Sequence, residues 1–453
     1  MIKKTKFLTV IVLLTLLFTV TLTLTSCNEA GSEEIFSKEQ LTENVSAEKR
    51  ENRGYVWEYL DKWEFPRFDK KKLKKVEKLY YDYYYKEMPS SYELANAIAA
   101  DFLKNKYDKI DLTDVGLVTD ALLTSFVNSI GDDYSRYRTN RQYENYTDEM
   151  SGTKPAFYGI GVNVRTVFTA DGILVISPIR HSPAYKAGIL AGDVITAIDG
   201  ENVLDMKFDE ATDKIKGESG TKVLITVKRG EEILDITVTR GPVIVPTVDY
   251  ILDEDKVGYI DINSFKANTD ELFIEAVDYM KENGAKVIIY DVRDNGGGYL
   301  ESVVNMLDYI APDGITLVSF SNDYGKPEKS DDGHSMTVPS IVLCNNNSAS
   351  ASELFTAGMR DIGAMGYFSV SIVGRTTYGK CVMQNSYTLY DDSAITMTVA
   401  YYYPPCGVHF DGEGIVPNVD ITKDLSDKEI KNLSDTDYMN LAYNEANKFI
   451  SNK

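Results

Sequence analysis

Histidine is scarce in this sequence, which has three among 453 residues: His181, His334 and His409. None of them stands in a context typical of a catalytic base, and we interpret all three as surface residues. The sequence contains no HExxH motif or other paired metal-ligand spacing, which disfavours a zinc hydrolase. We therefore expect a functional site that needs neither a metal nor a cofactor.

Cysteine is nearly as scarce. Cys27 closes an apolar N-terminal segment, and only Cys344, Cys381 and Cys406 follow it. An odd and widely spaced set provides neither a disulfide framework nor a CxxC metal clip. The fold must therefore depend on its apolar core.

Positive charge is also in short supply. The chain has 48 Lys and Arg residues against 69 Asp and Glu, a formal net charge of -21. Such a chain is repelled by phosphate backbones, so nucleic acid is not an expected partner. With 43% hydrophobic residues over this length, the sequence predicts two or three folded units at roughly 100 to 200 residues each.

The N-terminus has the layout of a secretory signal. Lysines precede an apolar run from Phe7 to Leu24, which is nearly long enough to be an uncleaved transmembrane anchor instead. The segment ends in Leu24-Thr25-Ser26-Cys27, which resembles a bacterial lipobox. We therefore predict a lipoprotein signal peptide over 1–27 with lipidation at Cys27, and an exported, membrane-anchored chain that faces the periplasm or the cell surface. The polar, Glu-rich stretch 28–50 predicts a flexible tether.

The pattern of apolar residues changes along the rest of the chain. Over 51–153 they recur at three- and four-residue spacing, which predicts an N-terminal helical region. Over 154–243, short β-rich runs between Gly turns predict a compact β domain. Over 244–430, strands alternate with helices, which predicts an α/β domain, and 431–453 is predicted as a C-terminal helical tail. The expected fold class is multidomain α+β.

The β domain opens with Tyr158-Gly159-Ile160-Gly161. A tight turn would explain these glycines alone. The later runs Ser182 to Ile189 and Ala191 to Gly200 complete a pattern that resembles a PDZ domain of the bacterial protease type. In such a domain the backbone N–H groups of the opening loop hold a peptide carboxylate, while the next strand pairs with the extended peptide. We therefore predict a peptide-binding site at Tyr158, Gly159, Ile160 and Gly161.

Three stretches of the α/β domain suggest chemistry. Ser350 stands between two alanines before a predicted helix, where the helix dipole stabilises an alkoxide. Ser350-x-x-Glu353 also fits a capping box, which is a purely structural explanation. Lys380 follows a glycine in a segment of modest polarity, and a partly buried lysine can act as a general base. The glycines that end Asp291 to Gly298 let backbone N–H groups approach an oxyanion, although a strand-to-helix turn needs them too.

These stretches, in their order along the chain, resemble the C-terminal processing peptidases, also called tail-specific proteases. The resemblance extends from about Asp132 to Asp420. It rests on six motifs: Asp132 to Tyr137, Val257 to Phe265, Asp291 to Gly298, Ser348 to Glu353, Tyr378 to Lys380, and Gly412 to Asn418.

The resemblance implies a catalytic domain of the ClpP/crotonase-like α/β kind and assigns roles within it. Ser350 would be the nucleophile and Lys380 its base. Gln384 matches a position that orients the lysine, and Glu353 ranks ahead of Asp361 among the matching acidic positions. The implied oxyanion hole consists of the backbone N–H of Ala351 and that of Gly297 or Gly298.

The expected function is therefore that of a serine endopeptidase with a Ser-Lys dyad, whose PDZ domain captures extended or C-terminal segments of exported proteins. The expected partners are polypeptide substrates and a membrane to which the lipid anchors the chain. The sequence leaves open whether the chain forms an oligomer. Three alternatives remain: an inactive peptide-binding protein of the same fold, an enzyme with Cys381 or Cys344 as nucleophile, and a purely structural envelope protein.

Overall fold

The computed structural model describes residues 55–164, 169–321, 324–331 and 333–451. The predicted signal peptide with Cys27 and the predicted tether 28–50 lie outside these residues. Among the residues described, no helix is long and apolar enough to cross a membrane.

Helices make up the first described part of the chain: α1 (Val56–Lys62), α2 (Lys70–Tyr83), α3 (Ser91–Asn105) and α4 (Val115–Ile130). Three of them begin at a polar side chain that accepts a backbone N–H of the first turn: Asp69, Ser90 and Asp114. Their apolar faces enclose a core with large aromatic residues such as Trp63 and Phe126. The same core includes Met397 from a strand late in the chain, so this helical region is packed against the α/β part of the chain.

The β domain follows β1 (Arg136–Arg138) and α5 (Asn140–Met150). Its elements are β2 (Phe157–Gly159), β3 (Val162–Val164), β4 (Ile173–Pro178), α6 (Pro183–Lys186), β5 (Val194–Ile198), β6 (Glu201–Asn202), α7 (Phe208–Ile215), β7 (Lys222–Arg229), β8 (Glu232–Thr239) and β9 (Gly241–Val243). One sheet in the order β3-β4-β5-β7-β8 covers a separate apolar core. Strands β2 and β9 pair where the chain enters and leaves the domain.

The last part of the chain alternates strands and helices. Its elements are β10 (Val248–Leu252), β11 (Val257–Ile262), α8 (Thr269–Glu282), β12 (Val287–Asp291), α9 (Leu300–Ile310), β13 (Thr316–Phe320), β14 (Glu328–Lys329), β15 (Ser340–Cys344), α10 (Ala351–Ala364), β16 (Val370–Gly374), β17 (Val382–Thr388), β18 (Ala394–Tyr403), β19 (Val419–Asp420), α11 (Asp427–Lys431) and α12 (Asp435–Ser451).

The main sheet of this domain has the order β10-β11-β12-β15-β16-β19 and is parallel except for β10. Helices α8, α9 and α10 pack on one face, and α12 packs on the other. Every residue of β12 and β15 is buried because both faces are covered. The ends of these two central strands carry the loops of the candidate site.

A second sheet has the order β1-β18-β13-β14, with β17 also paired to β18. Through β18 it joins β1, which follows the N-terminal helices, to β17, the strand that follows the Lys380 loop. The fold class predicted from the sequence, a helical region, a PDZ-like β domain and an α/β domain, is confirmed. The predicted domain boundaries stay predictions.

Helix α12 provides a test of the packing. Ala442 is fully buried against the main sheet, so Ala442→Asp would place an unpaired charge in an apolar contact. We expect a loss of about 3 kcal/mol or more in the free energy of unfolding. Asn444→Asp puts the same side chain on the exposed face of this helix and should change stability by less than about 0.5 kcal/mol. Urea unfolding of the two variants makes the comparison; equal midpoints would contradict the docking of α12.

Candidate active site

Ser350 is held in a conformation that non-glycine residues rarely adopt. It is the N-cap of α10, in the loop that follows β15, with φ 58° and ψ -116°. Such a backbone costs roughly 1–3 kcal/mol and persists only where its surroundings impose it. Here the Ser348 hydroxyl donates to the Val292 carbonyl oxygen (2.7 Å), and the Ala349 N–H donates to the Asn295 carbonyl oxygen (3.0 Å). These bonds fix the loop, and Ser350 itself stays partly exposed.

The Glu353 carboxylate joins the Ser350 loop to the Lys380 loop. It is fully buried and accepts four hydrogen bonds. One oxygen accepts the N–H of Ser350 (2.9 Å) and of Lys380 (2.8 Å), and the other accepts the Gly379 N–H and the Thr377 hydroxyl (both 2.6 Å). The backbone N–H groups of Ser350 and Lys380 therefore share one acceptor oxygen.

The capping-box explanation of Ser350 and Glu353 accounts for only part of this geometry. The Glu353 carboxylate does accept the Ser350 N–H, as in such a box. The Glu353 N–H, however, donates to the Ser350 backbone oxygen at 2.8 Å, so it does not depend on the serine hydroxyl. Three further donors to the same carboxylate come from the Lys380 loop, which lies outside the helix. Glu353 thus connects two loops as well as capping a helix.

Tyr402 of β18 makes a second connection between the same two segments. Its buried hydroxyl lies 3.0 Å from the Ser350 carbonyl oxygen and 2.8 Å from the Lys380 carbonyl oxygen, and its single hydrogen is shared between them. Burial raises the pKa of this phenol well above its usual value, so the hydroxyl stays a donor. The two loops are therefore held together through both their N–H and their C=O groups.

Lys380 lies half-buried in the loop before β17. Its Nζ donates to Gln384 Oε1 at 2.8 Å and lies 4.3 Å from the centre of the Tyr134 ring. Burial lowers the pKa of Lys380 from 10.5 to about 8, against the opposing influence of the Asp132 and Glu353 carboxylates. A substantial neutral fraction near physiological pH is what a lysine base requires.

The two glycines named for the oxyanion hole differ in how their N–H groups are used. The Gly297 N–H already donates to Asn295 Oδ1 at 2.9 Å. Gly298 is paired in parallel with Phe265. The Phe265 N–H donates to the Gly297 oxygen and the Tyr299 N–H donates to the Phe265 oxygen, so the N–H of Gly298 itself points away from Phe265. Neither Gly298 N–H nor the N–H of Ala351, in the first turn of α10, has an acceptor among the described residues. The geometry thus favours Ala351 with Gly298.

Gly297 has a steric role instead. Its φ is 99°, and a Cβ at this position would lie 2.7 Å from the Ala349 carbonyl oxygen and 2.9 Å from Ser350 Cβ. Real Cβ atoms do not approach backbone atoms this closely. A side chain at position 297 would therefore push the glycine loop away from the serine.

Asp361 lies elsewhere on α10. Its carboxylate accepts the Cys406 N–H at 3.0 Å and pairs with the Arg360 guanidinium at 2.8 Å. It therefore supports the loop after β18, while Glu353 is the acidic candidate that contacts the Ser350 and Lys380 loops.

The cysteine alternative has little support in the geometry. Cys344 and Cys381 are both fully buried, and burial raises the pKa of both thiols, that of Cys381 to about 12. The Cys381 thiol donates to the Tyr402 carbonyl oxygen at 2.8 Å. A nucleophilic cysteine needs an accessible thiolate, and neither residue provides one. Within the described part of the chain, no group of three or more His, Cys, Asp or Glu residues could hold a metal ion.

The predicted peptide-binding loop of the β domain uses its carbonyl groups and leaves N–H groups open. The Ile160 oxygen accepts the Ala184 N–H (2.7 Å), and the Gly161 oxygen accepts the Ser182 hydroxyl (2.9 Å). Gly161 has φ 77°, and a Cβ there would lie 2.5 Å from Ser182 Cβ. Gly159 is buried and Tyr158 is exposed. In the part of the chain that the structure describes, the N–H groups of Ile160 and Gly161 have no acceptor.

Comparison with known proteins identifies two parts of the chain. Residues 256–421 match the model of peptidase family S41, and residues 174–229 match that of a PDZ domain. The carboxy-terminal processing protease CtpA of Bacillus subtilis (strain 168) is 32% identical over 318 residues, which cover 69% of this chain and 66% of that protein. The chain is a member of peptidase family S41 with a PDZ domain.

Other relatives are similar at the same level. A probable CtpA-like serine protease of Staphylococcus aureus (strain N315) is 33% identical over 312 residues, which cover 68% of this chain and 61% of that protein. A solved structure of a photosystem II D1 C-terminal processing protease is 24% identical, with a TM-score of 0.44, and covers 78% of this chain and 93% of that one. The matches span slightly less than two thirds of the curated relatives' length. The resemblance to the C-terminal processing peptidases, predicted from the sequence motifs, is confirmed.

Several residues around this S41 site were not identified from the sequence. Tyr402 stands in a run of tyrosines that gives no sign of which ring reaches the two loops. Tyr134 and Asp132 lie in a motif that supported the resemblance, but nothing in the sequence placed them beside Lys380. Thr398, which contacts Gln384 and Asp132, lies in β18, outside every motif that carried the resemblance.

The clamp formed by Glu353 can be tested by a single substitution. Glu353→Gln replaces one acceptor oxygen with an NH₂ group that faces two donors, so we expect a loss of about 1–3 kcal/mol in the free energy of unfolding. Glu413→Gln makes the same change at an exposed position of a neighbouring loop and should have little effect. Denaturant titration of both variants provides the measurement. Equal stability would show that the clamp contributes nothing.

Proposed function

We propose that this chain is a serine endopeptidase with Ser350 as nucleophile and Lys380 as general base. The observation that carries the proposal is the arrangement of the two loops. Ser350 stands in a strained turn at a helix N-terminus, and a half-buried lysine with a pKa lowered to about 8 is tied to the same carboxylate and the same tyrosine. Structural loops rarely need a strained serine and a desolvated lysine whose backbones are held by one buried carboxylate.

The proposed reaction begins when Ser350 Oγ attacks the carbonyl carbon of a peptide bond and Lys380 Nζ takes the hydroxyl proton. The N–H groups of Ala351 and Gly298 then stabilise the oxyanion of the tetrahedral intermediate. Lys380 returns its proton to the leaving amine, which leaves an acyl-enzyme on Ser350. Water attacks this ester with Lys380 again as base, and the acid product is released. No metal or cofactor takes part in the proposal.

The proposed substrates are polypeptides that present an extended or C-terminal segment. The support is the PDZ domain, in which the N–H groups of Ile160 and Gly161 have no acceptor among the described residues and are suited to a carboxylate. We also propose that the protein is an exported lipoprotein, anchored at a membrane through Cys27 and acting on exported proteins. This part of the proposal is supported by the N-terminal sequence alone.

A paired variant tests the proposed nucleophile. Without residues 1–27, the wild type should cleave an unfolded protein, and Ser350→Ala should lose at least roughly a thousandfold in rate because it lacks the hydroxyl that is proposed to form the acyl-enzyme. Ser369→Ala removes the hydroxyl of an exposed serine before β16 and should cleave like the wild type. A fluorophosphonate probe should label the wild type and not Ser350→Ala.

Peptides with free and amidated C-termini, compared in the same assay, test carboxylate capture by the PDZ domain. Amidation should reduce cleavage if the domain holds the carboxylate.

Cleavage that is equal in Ser350→Ala and wild type would contradict the proposed nucleophile. An inert wild type that also resists the probe would favour a peptide-binding protein that has lost catalysis.

The pH dependence tests the proposed base. Lys380 acts in its neutral form, so kcat/KM should rise with pH and level off above about 8, falling about tenfold for each unit below that value. Lys380→Met should abolish the rise together with the activity. A profile that is flat from about pH 6 to pH 9 in the wild type would contradict lysine as the base.

A further inference from the structure

A chain of hydrogen bonds leads from Lys380 to the loop that follows α4. Lys380 Nζ donates to Gln384 Oε1 (2.8 Å), and Gln384 Nε2 donates to Thr398 Oγ1 (3.3 Å). Thr398 Oγ1 donates in turn to Asp132 Oδ2 (2.7 Å), which also accepts the Ser135 hydroxyl (2.5 Å). The chain thus connects the lysine to β17, β18 and the end of the N-terminal helical region.

The carboxylate at the end of this chain sets the direction of the Thr398 bond, and the Val382 carbonyl oxygen, which accepts Gln384 Nε2 at 3.3 Å, favours the same orientation of the amide. An ionised Asp132 can only accept, so the single hydroxyl hydrogen of Thr398 points to it. Thr398 then presents a lone pair to Gln384, which is satisfied by the NH₂ side of the amide. The carbonyl side of Gln384 is left to face Lys380. A neutral amide in place of the carboxylate could donate to Thr398 and remove this preference.

We infer that Asp132 is a positioning residue for Lys380, acting through Thr398 and Gln384. The inference rests on the proposed function, because only a lysine that acts as a base requires a fixed orientation towards the serine. Oriented in this way, Lys380 Nζ gives one hydrogen to Gln384 and keeps its lone pair for the serine. Without Asp132, the Val382 carbonyl oxygen alone holds the NH₂ group of Gln384. The NH₂ group can then turn towards Lys380 and donate to the lone pair that the serine needs.

The charged groups around Lys380 come from several elements. Asp132 and Arg136 come from the segment between α4 and β1, Glu353 comes from α10, and Asp411, which accepts the Cys381 N–H at 2.9 Å, comes from the loop after β18. The Asp132 and Glu353 carboxylates favour the charged lysine and oppose the lowering of its pKa by burial, whereas Arg136 adds to that lowering. Loss of the Asp132 charge alone should therefore lower the pKa of Lys380 further.

The test uses the chain without residues 1–27 and compares kcat over a range of pH. Asp132→Asn should reduce kcat at the high-pH plateau about tenfold to a hundredfold, because a misplaced base is costly. It should also move the rising limb of the profile to lower pH. Asp133→Asn removes the same charge from the exposed neighbouring position and should match the wild type.

A second pair of variants isolates the hydroxyl in the middle of the chain. Thr398→Val should reproduce the plateau loss of Asp132→Asn without the same movement of the limb, since Asp132 keeps its charge. Thr398→Ser retains the hydroxyl and should restore most of the rate. The plateau losses of Asp132→Asn and Thr398→Val should not add in the double variant, because both break one chain.

Two results would overturn the inference while the proposed function stands. One is an Asp132→Asn enzyme whose plateau kcat and rising limb in the pH profile equal those of the wild type. The other is Thr398→Ser that is as slow as Thr398→Val. A wild type that neither cleaves nor reacts with a fluorophosphonate fails at an earlier point, since it contradicts the proposed function itself.

Discussion

The four hydrogen bonds that end on the Glu353 carboxylate hold the candidate site together. They bring the N–H of Ser350 and the N–H groups of Gly379 and Lys380 to one buried group, although the two loops are separate in sequence. Four donors are satisfied by two oxygens only in the ionised form, which burial opposes and the hydrogen bonds favour. A buried charge of this kind is tolerated because every lone pair has a partner.

The sheet provides the fixed frame for this clamp. Strands β12 and β15 are parallel neighbours, so their carboxyl ends deliver the glycine loop and the Ser350 loop to the same edge. The strained φ of Ser350 is maintained because bonds to Val292 and Asn295 leave the loop no relaxed alternative. From the second sheet, Tyr402 reaches the carbonyl groups of both site loops. The N-terminal helices, packed on β18, thereby contribute to the geometry of a site that lies outside them.

The sequence predicted what depends on local pattern. The strand before Ser350, the helix after it and the glycines after Asp291 are short-range features, and the structure has them where they were expected. The choice between Gly297 and Gly298 was beyond the sequence, because it depends on which N–H is consumed by Asn295.

Contacts between distant segments were the hardest to predict. Thr398 and Asp132 are 266 positions apart, and Tyr402 is 52 positions from Ser350. In neither pair does the spacing show that the residues meet. Glu353 was identified as a helix cap and as a candidate near the lysine, and the structure shows how one carboxylate contacts both loops.

The protonation of Lys380 tests the account most directly. The lysine side chains can be labelled with ¹³C by reductive methylation and titrated by NMR in the Ser350→Ala protein, with Lys380→Met used to assign the resonance. The account predicts that the Lys380 resonance titrates near pH 8. A Lys380 resonance that titrates near the ordinary value of 10.5 would contradict it, because the residue would then be almost fully charged at physiological pH and could not serve as the base.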